Sequence, residues 1–142
     1  HGQLSLPTGG AMMLGGATGD FVALTFTTHT DVYTYNHVAN AWTNAGDLNV
    51  GRAYPNLVDT GSGIAVLAGL KSVDITTGSG TPATEVETAP YSGVGWSVAA
   101  NQALPRETAR AVAIDGGDRI LVVGVGDNGL PANDLTAEVF LP

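Results

Sequence analysis

The sequence predicts an all-β chain organised as a repeat array of small antiparallel sheets. Val32, Trp42 and Arg52 recur as Val86, Trp96 and Arg106, a constant displacement of 54 residues with the same ten-residue steps inside each set. A period of about 40 to 55 residues marks arrays in which one supersecondary unit is repeated. Runs of four to seven residues rich in Val, Leu, Ile and Thr alternate with Gly, Asn and Asp clusters, and 20 glycines punctuate the 142 residues. That is the pattern of short strands joined by tight turns. No stretch of ten or more residues carries a helical apolar period. One small sheet cannot bury both of its faces, so stacking on neighbours must remove that surface from water.

Three units superpose: residues 1–48, 49–102 and 103–142. Each opens with a candidate first strand, at Leu4-Ser5-Leu6, Asn56-Leu57-Val58 and Ala111-Val112-Ala113-Ile114. A turn follows at Pro7-Thr8-Gly9-Gly10, Thr60-Gly61-Ser62-Gly63 and Asp115-Gly116-Gly117-Asp118, where Gly and Asp tolerate the positive φ of tight hairpins. The second strands are Ala11 to Leu14 closed by Gly15-Gly16, Ile64 to Leu67 closed by Ala68-Gly69, and Ile120 to Val123 closed by Gly124. They are apolar on both faces, as inner strands between packed sheets are. Long polar connections come next, at about 17–30, 70–82 and 126–134. Third strands are expected at Val32–Tyr35, Thr84–Glu87 and Ala137–Phe140. Units one and two continue into a fourth segment expected to end near Trp42 and Trp96. Unit three stops at Pro142 without one.

The net charge is −8, from 13 acidic residues against five basic ones, Arg52, Lys71, Arg106, Arg110 and Arg119. Such a surface repels a phosphate backbone, which excludes nucleic acid as a natural partner and disfavours anionic membranes. No 18-residue apolar span is present, so membrane insertion by a helix is not expected. The chain has no cysteine, which removes disulfides, thiolate metal sites and cysteine nucleophiles. It begins abruptly at His1 inside an expected strand and reads as a processed piece or a segment of a longer protein. Composition leaves the compartment open and leans toward the extracellular side.

In unit one the ordered set Gly15-Gly16, Tyr35, Trp42 and Arg52, with six residues between Tyr35 and Trp42, resembles the kelch repeat of β-propellers, including the kelch-like central domain of galactose oxidase. Unit two keeps Trp96 and Arg106 but carries Ala68-Gly69 and Ala89 at the diglycine and Tyr positions; unit three keeps Gly124 and the strand pattern. The resemblance implies four-stranded blades packed face to face. Its glycines would let a neighbouring aromatic approach. Trp42 and Trp96 would each bury about 150–250 Å² between blades, on the order of 4–6 kcal/mol before ordering costs. Arg52 and Arg106 would bind backbone carbonyls or a carboxylate at the junctions. Propellers close with four to eight blades. Three blades, the last incomplete, therefore need a second chain or the rest of a longer protein, and a homo-oligomer is slightly favoured.

Candidate chemistry is sparse. An N-terminal His can chelate copper, but nothing in the spacing brings His29 or His37 beside His1. Galactose oxidase chemistry rests on a Tyr cross-linked to Cys, which this chain cannot form; the resemblance supplies scaffold without chemistry. Asp127-Asn128-Gly129 with Asp134 offers oxygens for calcium but lacks a spaced ligand run and reads as a turn. Glu85 and Glu87 alternate onto one face that reads as solvated, and Glu138 aligns with Glu85. Thr60-Gly61-Ser62-Gly63 is a hairpin turn and not a nucleophile elbow. Thr76 to Pro82 reads as a flexible loop.

No catalytic or metal-ligating residue is assigned, and no cofactor is expected. The leading expectation is a non-catalytic module for protein–protein interaction or structural assembly, with Phe21, Phe26 and Lys71 on the connecting loops as contact residues. The alternative is a glycan-binding or metal-dependent enzyme domain using a propeller channel.

Overall fold

Strand alternation and turn chemistry give, in a computed structural model, the three-unit organisation described below. The structure describes residues 1–125 and 135–141. The first unit contains β1 (Gly2–Ser5), β2 (Ala11–Leu14), β3 (Ala17–Asp20), β4 (Thr25–Thr28), β5 (Asp31–Asn36) and β6 (Ala41–Asp47). The second contains β7 (Asn56–Asp59), β8 (Ile64–Leu67), β9 (Leu70–Val73), β10 (Gly80–Pro82), β11 (Glu85–Ala89) and β12 (Ser97–Asn101). The third contains β13 (Ala109–Ile114), a 3-10 turn at Asp115–Gly117, β14 (Arg119–Val125) and β15 (Leu135–Phe140). Every pairing is antiparallel: β1-β2-β5-β6 in the first sheet, β7-β8-β11-β12 in the second and β13-β14-β15 in the third. Among the described residues no sheet closes into a barrel.

The sheets stack in chain order because β8 is apolar on both sides. All four of its residues are buried. Ile64 and Val66 pack against Met12, Leu14 and Val32 of the first sheet. Ala65 and Leu67 pack against Ile120 and Val122 of the third. Two continuous apolar layers result, with the second sheet shared between them. Removing that surface from water at about 25 cal/mol per Å² is the main force holding the stack.

Three sequence expectations change. The fourth strands begin at the tryptophans and do not end there: Trp42 is the second residue of β6, and Trp96 immediately precedes β12. The turn ahead of β6 is made by Asn36, whose Oδ1 accepts from Val38 N (2.9 Å) and Ala39 N (3.0 Å), so extended backbone resumes only at Ala41. The connections at 17–30 and 70–82 are extra hairpins, β3–β4 and β9–β10, and not irregular loops. Thr76 to Pro82 likewise enters β10 after a turn organised by Asp74, whose Oδ1 accepts from Thr76 N at 2.8 Å. Segments too short and too polar to read as strands alone are stabilised by their hydrogen-bonded partners. The connection at 126–134, including Asp127, Asn128, Gly129 and Asp134, lies outside the described residues.

Candidate functional site

Buried polar chemistry sits at the junctions between sheets. The segment that crosses from β6 to β7 carries Asn49, Val50 and Arg52 over the face of β11. Glu87 Oε1 accepts from Arg52 Nη2 (2.7 Å) and Val50 N (3.2 Å). Its Oε2 accepts from Asn49 N (2.7 Å) and Asn49 Nδ2 (2.8 Å). Arg52 Nη1 donates to the carbonyls of Glu85 (2.9 Å) and Ala68 (3.3 Å). Both charged side chains are fully excluded from water. Burial pushes the Arg52 guanidinium below its ordinary value, while the neighbouring Glu87 carboxylate works in the opposite direction. The solvated-face reading of Glu87 is therefore overturned, because the crossing segment covers that face and supplies four donors.

The second junction repeats this design incompletely. Arg106 Nη1 donates to Leu104 O (2.9 Å) and lies 3.2 Å from Glu138 Oε1, and Arg106 Nη2 donates to Thr136 Oγ1 at 2.7 Å. Glu138 stands opposite Val122 in the ladder as Glu87 stands opposite Val66, so its counterpart is Glu87 and not Glu85. Ala103 stands 54 residues after Asn49 and has no side-chain amide to offer. Glu138 Oε2 accordingly finds no hydrogen-bond partner among the described residues. Nor does Arg106 Nε, because Nη1 takes the Leu104 carbonyl, whereas in the first junction Arg52 Nε donates to Val50 O (3.4 Å).

The glycines are needed for a different close approach from the one expected. At Gly15 (φ +60°) a Cβ would stand 2.7 Å from the Arg52 carbonyl, and at Gly69 (φ +90°) it would clash with the Ala53 carbonyl. Gly124 meets the Thr108 carbonyl in the same way. What approaches is the backbone of the next unit, not an aromatic ring. Gly16 lies against His1.

The tryptophans differ. Trp96 is 8% exposed and belongs to the layer between the first and second sheets. Trp42 is 51% exposed, against the expectation of burial, and its ring meets Tyr35 at a centroid distance of 5.3 Å. Trp96 faces the first sheet, whereas Trp42 lies on the side of the first sheet turned away from the second, where no sheet packs among the described residues.

Exposed apolar surface gathers on the β3–β4 hairpin. Phe21 and Val22 at its tip are 81% and 96% exposed, and Leu24 is also exposed. Asp20 Oδ1 organises the tip by accepting from Val22 N (2.8 Å) and Ala23 N (2.9 Å). Beside it, a groove of about 540 Å³ runs between the two hairpins, lined by Phe21, Phe26, Tyr54, Leu70, Val73 and Ile75, with His1 and Glu107 also on its wall. Thr28 Oγ1 donates to Lys71 O at 3.1 Å and joins the hairpins. Phe21 and Phe26 thus share one groove. Lys71 does not line it; its Nζ lies 3.2 Å from Glu85 Oε1. Burial acts to raise the Glu85 pKa, but backbone hydrogen bonding, Lys71 and Arg52 together hold it below the ordinary range.

Among the described residues, no three His, Cys, Asp or Glu side chains gather as a metal-holding group. In comparisons with known proteins, no family model matches the chain and no curated protein matches it.

Proposed function

We propose that the chain is a non-catalytic, kelch-like set of propeller blades that works through protein–protein contact, with the β3–β4 hairpin and its groove as the binding surface. The observation that carries this reading is the pre-organised apolar tip, Phe21, Val22 and Leu24, standing in water beside an apolar groove. Contiguous exposed apolar surface on a rigid scaffold is what partner sites are made of. The Asp20 hydrogen bonds hold the tip in shape before any partner arrives, which reduces the ordering entropy of binding. The ligand that fits is a largely apolar segment of another protein, since aromatic and aliphatic side chains make up most of the lining beside His1 and Glu107.

The kelch-like part of the reading is supported by the order Gly15-Gly16, Tyr35, Trp42, Arg52 and by two four-stranded sheets and one three-stranded sheet of the same up-and-down order. The buried arginines and carboxylates are committed to holding sheets together, so they support a scaffold role.

Selection of random peptides displayed on phage tests the binding surface. Apolar peptides are expected that bind the wild type and lose at least tenfold affinity for Phe21→Asp, with folding unchanged. Peptides indifferent to Phe21→Asp, or an unproductive selection, would overturn the assignment.

A further inference from the structure

The outer faces of the stack are counterparts of faces that already meet inside it. On the first sheet, the side turned away from the second carries Met13, Tyr33, Tyr35 and Trp42, half-buried or exposed. Ladder position by ladder position, Met13 stands where Val66 stands and Tyr35 where Ala89 stands. Trp42 likewise corresponds to Trp96, 54 residues on. Val66, Ala89 and Trp96 form the face with which the second sheet packs on the first. On the third sheet, the side turned away from the second carries Val112, Leu121, Val123 and Val139, of which three are exposed. Leu121 occupies the position of Met12, and Val123 that of Leu14. Those two residues receive the second sheet within the chain.

We propose that a second copy of this chain docks its third-sheet face on the first-sheet face, head to tail, reproducing between copies the sheet contact made twice within one. Charge favours this pairing over two like faces. Asp31 and Asp47 lie opposite one another in the ladder on the Tyr33 and Tyr35 side of the first sheet. Arg110 points outward beside Val123 on the third, and Arg119, whose Nε lies 3.5 Å from Asp115 Oδ2, stands on the same face beside Leu121. Like faces would bring carboxylate to carboxylate or guanidinium to guanidinium, whereas head-to-tail contact joins opposite signs. A heterologous contact either closes or propagates. Two copies that satisfy both contacts make a closed ring of six sheets, and neither outer sheet face is left in water. Neither face shares a residue with the hairpin groove, so pairing and groove binding can fail independently.

Light scattering after size exclusion tests the proposal, with Trp42 fluorescence as a second readout. The wild type is expected at twice the 14.4 kDa chain mass, with emission that shifts to the blue as concentration rises and Trp42 leaves water. Trp42→Glu and Val123→Glu should each be monomeric, with the circular dichroism of the wild type. Mixed, they should form a heterodimer, because each retains the face that the other has lost. Should Val123→Glu fail to fold, Val112→Glu takes its place. A wild type that stays monomeric up to its solubility limit would overturn the proposal. So would a single variant that still dimerises, which is the mark of two like faces meeting.

Discussion

Arg52 and Glu87 illustrate what one buried pair does for this molecule. Removing either charge strands the other in a dry junction, which costs far more than the pair contributes relative to water. Glu87→Ala should destabilise the chain by about 3–5 kcal/mol, since Arg52, Asn49 and Val50 all lose their acceptor. Urea unfolding followed by Trp96 fluorescence measures it. The second junction predicts the opposite sign for a gain of polarity. Ala103→Asn places an amide where Asn49 serves the first junction and should stabilise the chain by about 1 kcal/mol by satisfying Glu138 Oε2. A neutral or destabilising result in the same assay would mean that this oxygen already has a partner. Arg52 and Arg106 were visible in the sequence through their spacing. Glu87 was not: a strand's period of two shows that Glu85 and Glu87 share a face, but not what covers it.

At the scale of elements, the two extra hairpins each hang on one aspartate. The backbone N–H groups of Ala23 and Val22 hold the Asp20 carboxyl below its ordinary range, and those of Thr76 and Thr77, with the Thr77 hydroxyl, do the same for Asp74. A carboxylate whose folded pKa is depressed contributes stability that is present above its unfolded pKa and lost as pH falls through the folded value. Protection of the β3–β4 and β9–β10 amides should therefore fall in acid below the usual aspartate range while the main sheets persist. Carboxyl titration by NMR with hydrogen exchange reads both, and Asp20→Ala should remove the acid step for β3–β4 alone. These hairpins were read as loops because their short strands lack the continuous apolar runs that mark β2 and β8 and are rich in Gly, Thr, Ser and Asp instead. Glu138 was aligned two residues off for a related reason: a two-residue slip preserves the face, and only the ladder partner Val122 reveals it.

For the whole molecule, stacking makes stability a sum of nearest-neighbour contacts. The second sheet is covered on both sides, whereas the first and third each present one face to solvent. Among the described residues the third also has three strands where the others have four, and its junction leaves Glu138 Oε2 unsatisfied. In the monomer, amides of β13, β14 and β15 should exchange before those of β8 and β11, with β8 approaching the global unfolding limit. Uniform protection across the three sheets would show that the stack unfolds as one unit.

The sequence by itself determined the all-β class, the 54-residue repeat, the second and third strands and the glycines that end the second strands. Each follows from local causes: alternation, turn residues and periodic recurrence along one chain. Only the tertiary structure decided that Glu87 is buried, that Trp96 is covered while its repeat partner Trp42 stands half in water, and that two polar connections fold into hairpins flanking a groove. Those outcomes depend on what lies across a junction, and identical residues at repeat-related positions have different neighbours at the middle of a stack and at its end.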